Sequence, residues 1–83
     1  YKLDFEPTPY VIIVENVDKP GIIGQLGTIL GAANINIAAM QNSRNKKGEK
    51  AVSFISVDGE VSQDVLRLMK NIDGVTKIGM MRF

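Results

Sequence analysis

Tyr10-Val11-Ile12-Ile13-Val14-Glu15-Asn16-Val17-Asp18-Lys19-Pro20-Gly21-Ile22-Ile23 decides how the rest of this chain is read. Residues 10–14 are an unbroken apolar, β-branched-rich run, which predicts a strand buried on both faces. The polar residues that follow belong at the strand's end, on the rim of a sheet. Pro20 has its φ preset and no N–H to lose, which suits the first turn of a helix, and Gly21 adds no Cβ beside the next amides. A helix starting here offers the N–H groups of Gly21, Ile22 and Ile23, with partial positive charge, to a carboxylate or phosphate. Asp18, two residues before Pro20, is placed to meet an ammonium. Amides for a carboxylate beside a carboxylate for an ammonium are what an α-amino acid needs. A plainer reading stays open, in which Asp18 caps the helix and Pro20-Gly21 only shapes the turn.

Downstream, Ile22, Leu26, Ile29 and Ala33 recur at three- and four-residue steps, with Ile23 and Leu30 widening the stripe, so a helix is predicted over residues 21–33. Gly24, Gly27 and Gly31 fall on a face turned away from that stripe, and each costs about 1 kcal/mol of helix propensity relative to Ala. Either another backbone or a ligand approaches near Gly24, or packing of the apolar face tolerates the glycines. Asn34 can take the left-handed conformation that stops a helix. Residues 35–40 predict a second strand, in which Asn36 points opposite to Ile35 and Ile37. Its carboxamide can serve a ligand or the nearby backbone.

Arg44-Asn45-Lys46-Lys47-Gly48-Glu49-Lys50 reads as a basic, solvated hairpin loop that discourages edge pairing, leading to a third strand over residues 51–58. Ser62 is a candidate N-cap for a helix over residues 62–72, with Asp64 in its first turn and Val65, Leu66, Leu68, Met69 and Ile72 as its stripe. Asp73-Gly74 ends that helix, and residues 75–83 return as a strand beside the first. Residues 1–9 carry two prolines and no period, so they read as a linker or lead-in to a domain over residues 10–83. The order is that of an α+β, ferredoxin-like βαββαβ fold, a four-stranded antiparallel sheet with two helices on one face. Its other face is left to water or a partner.

Composition narrows the function classes. An 83-residue chain buries only about 60–65% of its unfolded surface, and this one has neither Cys for disulfides nor His to join a metal site. A partner chain is the remaining source of stability. Ten basic and nine acidic side chains leave a net charge of +1, without the basic footprint of a nucleic-acid binder. No apolar run approaches the length of a membrane span and no signal sequence is evident, which predicts a cytoplasmic protein. The first residue is Tyr1 rather than Met, which suggests a domain taken from a longer protein.

Without His or Cys, the commonest nucleophilic and acid–base arrangements are missing, and no carboxylate pair takes metal-ligand or glycosidase spacing. Gly21, Gly24, Gly27 and Gly31 match neither a dinucleotide nor a P-loop pattern. No catalytic residue, metal or cofactor is therefore expected in this chain.

Asn16-x-Asp18-x-Pro20-Gly21-Ile22-Ile23, continued through Ile29-Leu30-Gly31 to Asn34-Ile35-Asn36-Ile37-Ala38, closely resembles the ACT domain, a small-molecule-sensing module. Within that family, Gly27-Thr28-Ile29-Leu30-Gly31, the Ile35-to-Gln41 strand and the Arg-containing hairpin are most similar to the C-terminal regulatory domains of bacterial D-3-phosphoglycerate dehydrogenases. The β-subunits of bacterial L-serine dehydratases are a second match. The resemblance implies feedback control by L-serine, bound between the paired ACT domains of a homodimer whose sheets join side by side. The implied ligand-binding residues are Asn16, Asp18 and Asn36, with the amides of Gly21, Ile22 and Ile23. NAD is implied only for an upstream catalytic domain of a parent enzyme of serine biosynthesis. Some members carry His at the position of Asn16 and Asn at that of Asp18.

Overall fold

The computed structural model describes residues 3, 5, 6, 8–44 and 50–83. Its elements run β1 (Tyr10–Val17), α1 (Ile22–Ala32), β2 (Ile37–Arg44), β3 (Lys50–Val57), α2 (Gln63–Lys70) and β4 (Val75–Arg82). The four strands form one sheet in the order β2-β3-β1-β4, with every neighbouring pair antiparallel. This is the βαββαβ arrangement expected from the sequence.

The β-branched run 10–14 becomes a central strand, hydrogen-bonded on both sides, with Val11, Ile12 and Val14 fully buried. Ile12 and Val14 face the helices and join Ile55 and Val57 of β3, Ile22, Leu26 and Leu30 of α1, and Met69 of α2 in one core. The helical stripes are narrower than their periodicity suggests. Ile23 is 39% exposed and Leu68 57% exposed, because each lies at the margin of its helix's buried face.

Helix ends follow local chemistry. The Ser62 hydroxyl accepts a hydrogen bond from the Val65 N–H at 3.2 Å and caps α2. Asn34, at φ 59°, closes α1: Ile35 N–H donates to the Leu30 carbonyl at 2.9 Å and Asn34 N–H to the Gly31 carbonyl at 3.0 Å. Asn36 precedes β2 rather than lying within it, and Arg44 and Lys50 are strand residues rather than loop. The intervening tip of the expected hairpin, 45–49, lies outside the described residues.

The face away from the helices is partly covered. Val11 and Ser56 are register partners on that side, and both are buried. Thr8 N–H donates to Ser56 Oγ at 2.8 Å and Thr8 Oγ1 to the Val57 carbonyl at 2.6 Å, while Phe83 N–H donates to the Pro9 carbonyl. Residues 8 and 9 are thus fastened to the end of the sheet. No helix among the described residues is long and apolar enough to cross a membrane.

Candidate ligand-binding turn

The turn from β1 into α1 is built from its ends inward. The N-cap of α1 is Gly21, at φ 92°, and no side chain among the described residues caps the helix. That conformation is open to Gly and strained for other residues. Asp18 is therefore not the cap, and Pro20 sits two positions before the first helical residue rather than in the first turn. Gln25 N–H makes the first helical bond, to the Gly21 carbonyl at 3.1 Å, so the amides ahead of it are the donors that every helix start leaves over. The region of partial positive charge expected from the sequence is present, without a competing cap.

Asn16 lies on the helix side of β1, where the β1–β4 register shifts between Glu15 and Asn16. It is only 3% exposed. Its Nδ2 donates to the Val17 carbonyl at 2.8 Å, whereas its Oδ1 is buried with no hydrogen-bond partner among the described residues. A buried acceptor left open is costly and calls for a donor from outside this set of residues.

Asp18 turns toward β2. Its Oδ1 lies 3.4 Å from Arg44 Nε, with the two side chains 22% and 67% exposed respectively. The sheet register explains this pairing: Asn16 and Arg44 both sit opposite Ala51, one from each side. The row Asn16, Ala51, Arg44 runs across three strands beneath the turn, and the small Ala51 leaves room for the arginine to reach over. Charge alone assigns Arg44 to a solvated loop, and it is the hairpin register that carries it to Asp18.

Two further residues fix the turn from below. Lys19 Nζ bonds Asp73 Oδ2 at 2.7 Å, and Val17 N–H donates to the Gly74 carbonyl at 2.8 Å. The lysine's hydrogen bond and charge hold the Asp73 carboxyl below its ordinary pKa. Asp73-Gly74, read from sequence only as a helix stop, buttresses the turn.

Asn36 is not part of this cluster within one chain. It is exposed, its N–H donates to Asp58 Oδ1 at 3.3 Å, and its carbonyl accepts from Asp58 N–H. Arg44 lies eight residue steps further along, on the order of 25 Å of extended chain. Alongside α1 runs a groove of about 500 Å³ lined by Gly21, Gly24, Gln25, Thr28 and Ile29. Among the described residues, a Cβ added at Gly24, Gly27 or Gly31 would meet nothing within 4 Å, so packing among them does not require these glycines.

A model of the ACT domain matches residues 10–74. The chain belongs to the ACT domain family. Its curated relatives include the D-3-phosphoglycerate dehydrogenases of Bacillus subtilis, 32% identical over 78 residues and 94% of this chain, and of Archaeoglobus fulgidus, 39% identical over 77 residues and 90% of the chain. The chain spans about 15% of the length of either protein. In architecture this ACT domain is similar to the ACT domain from GTP pyrophosphokinase of Chlorobium tepidum, with a TM-score of 0.69 and 15% identity over 87% of this chain and 95% of that one. An ACT domain protein from Streptococcus pneumoniae superposes with a TM-score of 0.66 at 20% identity, over 88% and 86% of the two chains. At these identities the structures bear on the fold alone.

Proposed function

We propose that this ACT domain senses a small amino acid, L-serine first among candidates, at an interface between two copies, and so controls a parent D-3-phosphoglycerate dehydrogenase. The observation that carries the reading is the uncapped start of α1 a short turn after Asp18, whose carboxylate makes one 3.4 Å contact, with Arg44. The amino acid's carboxylate sits on the amides after Gly21, and its ammonium on Asp18. Asn16 Oδ1, the open buried acceptor, gains a donor when the turn adjusts around the ligand. NAD, on this reading, is held by a catalytic domain elsewhere in the parent.

The second copy supplies Asn36. If two chains join antiparallel along β2 about a two-fold at the strand's centre, residue 37 of one lies opposite residue 44 of the other. One copy's Asn36 then comes to the end of β2 from which the other's Arg44 reaches Asp18, and the glycine face of α1 is free for close approach. A ligand that touches both copies stabilises that arrangement, and its differential affinity for two arrangements is what can shift a remote active site. Sedimentation equilibrium of the chain with and without L-serine tests this: the dimer should tighten with L-serine, and a dimer indifferent to every amino acid would favour a purely structural pairing module. The Asp18–Arg44 pair is the observation that keeps that second reading in view, since it already satisfies the acid within the chain.

A further inference from the structure

We propose that Arg44 is an internal counter-ion of the turn, which a ligand's ammonium displaces from Asp18, releasing the guanidinium on edge strand β2. This rests on the amino-acid reading above and adds how an occupied turn is reported at the sheet edge.

Three observations carry it. First, the cations around the turn are differently committed: Lys19 is held by Asp73 at 2.7 Å and Lys50 lies 3.9 Å from Glu15, while Arg44 reaches Asp18. Second, the register of β2 on β3 delivers Arg44 there, across the small Ala51, so the contact is set by the sheet. Third, the pair is built to open. It is a single Nε contact at 3.4 Å with most of the arginine in solvent, not the two-pronged fork that makes arginine–carboxylate pairs strong.

An ammonium on Asp18 would stand within a few ångströms of the guanidinium, and two cations at that separation repel. The compact ammonium, anchored through the rest of the ligand, keeps the acid and the arginine swings away. Because Arg44 ends β2, the strand along which the two copies join, its guanidinium loses its acid partner when the turn is occupied. The ligand thus exchanges one ion pair for another, and its affinity should depend little on salt. With the arginine removed, the ammonium forms a new pair and gains in full, but that gain is screened.

The experiment is calorimetric titration of the chain with L-serine, wild type against Arg44→Gln, at low and high NaCl, after matched thermal unfolding has shown both folded. Arg44→Gln should bind about two- to fivefold tighter at low salt, an advantage that shrinks as salt rises. Equal or weaker binding by the variant overturns the proposal, the latter marking Arg44 as a direct ligand contact. A second readout is spectroscopic: the Arg44 side-chain Nε–H resonance should move in Asp18→Asn, and saturating L-serine should move it in the same direction in the wild type. A resonance unmoved by Asp18→Asn, or unmoved by bound L-serine, refutes the exchange. If Asp18→Asn moves it but no amino acid gives heat or shift, the amino-acid reading fails, and the exchange fails with it.

Discussion

Gly74 is packed against Ile22: a Cβ on Gly74 would lie 2.8 Å from Ile22 Cδ1, and 3.0 Å from both Lys19 Cε and Val17 Cγ2. Its φ of 102° adds backbone strain for any side chain. Gly74→Ala should therefore lower unfolding free energy by about 1–3 kcal/mol in urea titration, because clash and strain act together. It should also loosen the turn that Gly74 supports.

The glycines of α1 should behave in the opposite way. Gly24→Ala meets nothing in the chain, so it should raise the stability of the single folded chain by about 0.5–1 kcal/mol through helix propensity. If that face receives a second copy, the same change should weaken dimerisation in sedimentation. Stability and association would then move in opposite directions.

Asp18 and Ser62 separate binding from capping. Ser62→Ala removes the cap of α2 and should cost about 1 kcal/mol. Asp18→Ala removes no cap, only a single-contact ion pair whose arginine lies mostly in solvent, and should change stability by less than about 1 kcal/mol. Thermal unfolding of the two variants checks the contrast.

The Lys19–Asp73 pair carries a pH signature. The Asp73 carboxyl titrates lower folded than unfolded, so its contribution is present above its ordinary value of 3.8 and fades as pH falls through the lowered one. Urea midpoints of wild type and Asp73→Asn should differ most near neutrality and converge in acid. The difference should be small and shrink with salt, since the carboxylate is fully solvated.

What was legible in the sequence was local. The β-branched run became a central strand, Ser62 a cap and Asn34 a left-handed stop, because each is decided by a few neighbouring residues. Periodicity puts Ile23 and Leu68 in the apolar stripes, yet both are exposed, because it gives a stripe's direction but not where the opposing layer ends. Arg44 looked like loop by charge, yet strand pairing carried β2 on to it. Gly74 looked like a stop signal, and its packing on Ile22 is a contact between residues far apart in the chain. Asn36 is a candidate from its place in the sequence, yet within one chain it lies away from the turn and pairs with Asp58.

The most direct measurement is isothermal titration calorimetry of this chain with L-serine and a panel of other amino acids, at a concentration where the dimer is verified, repeated on Asp18→Ala. The amino-acid-sensing reading predicts saturable heat with at least one amino acid and its loss in the folded variant. No heat with any amino acid, or binding unchanged by Asp18→Ala, would contradict it.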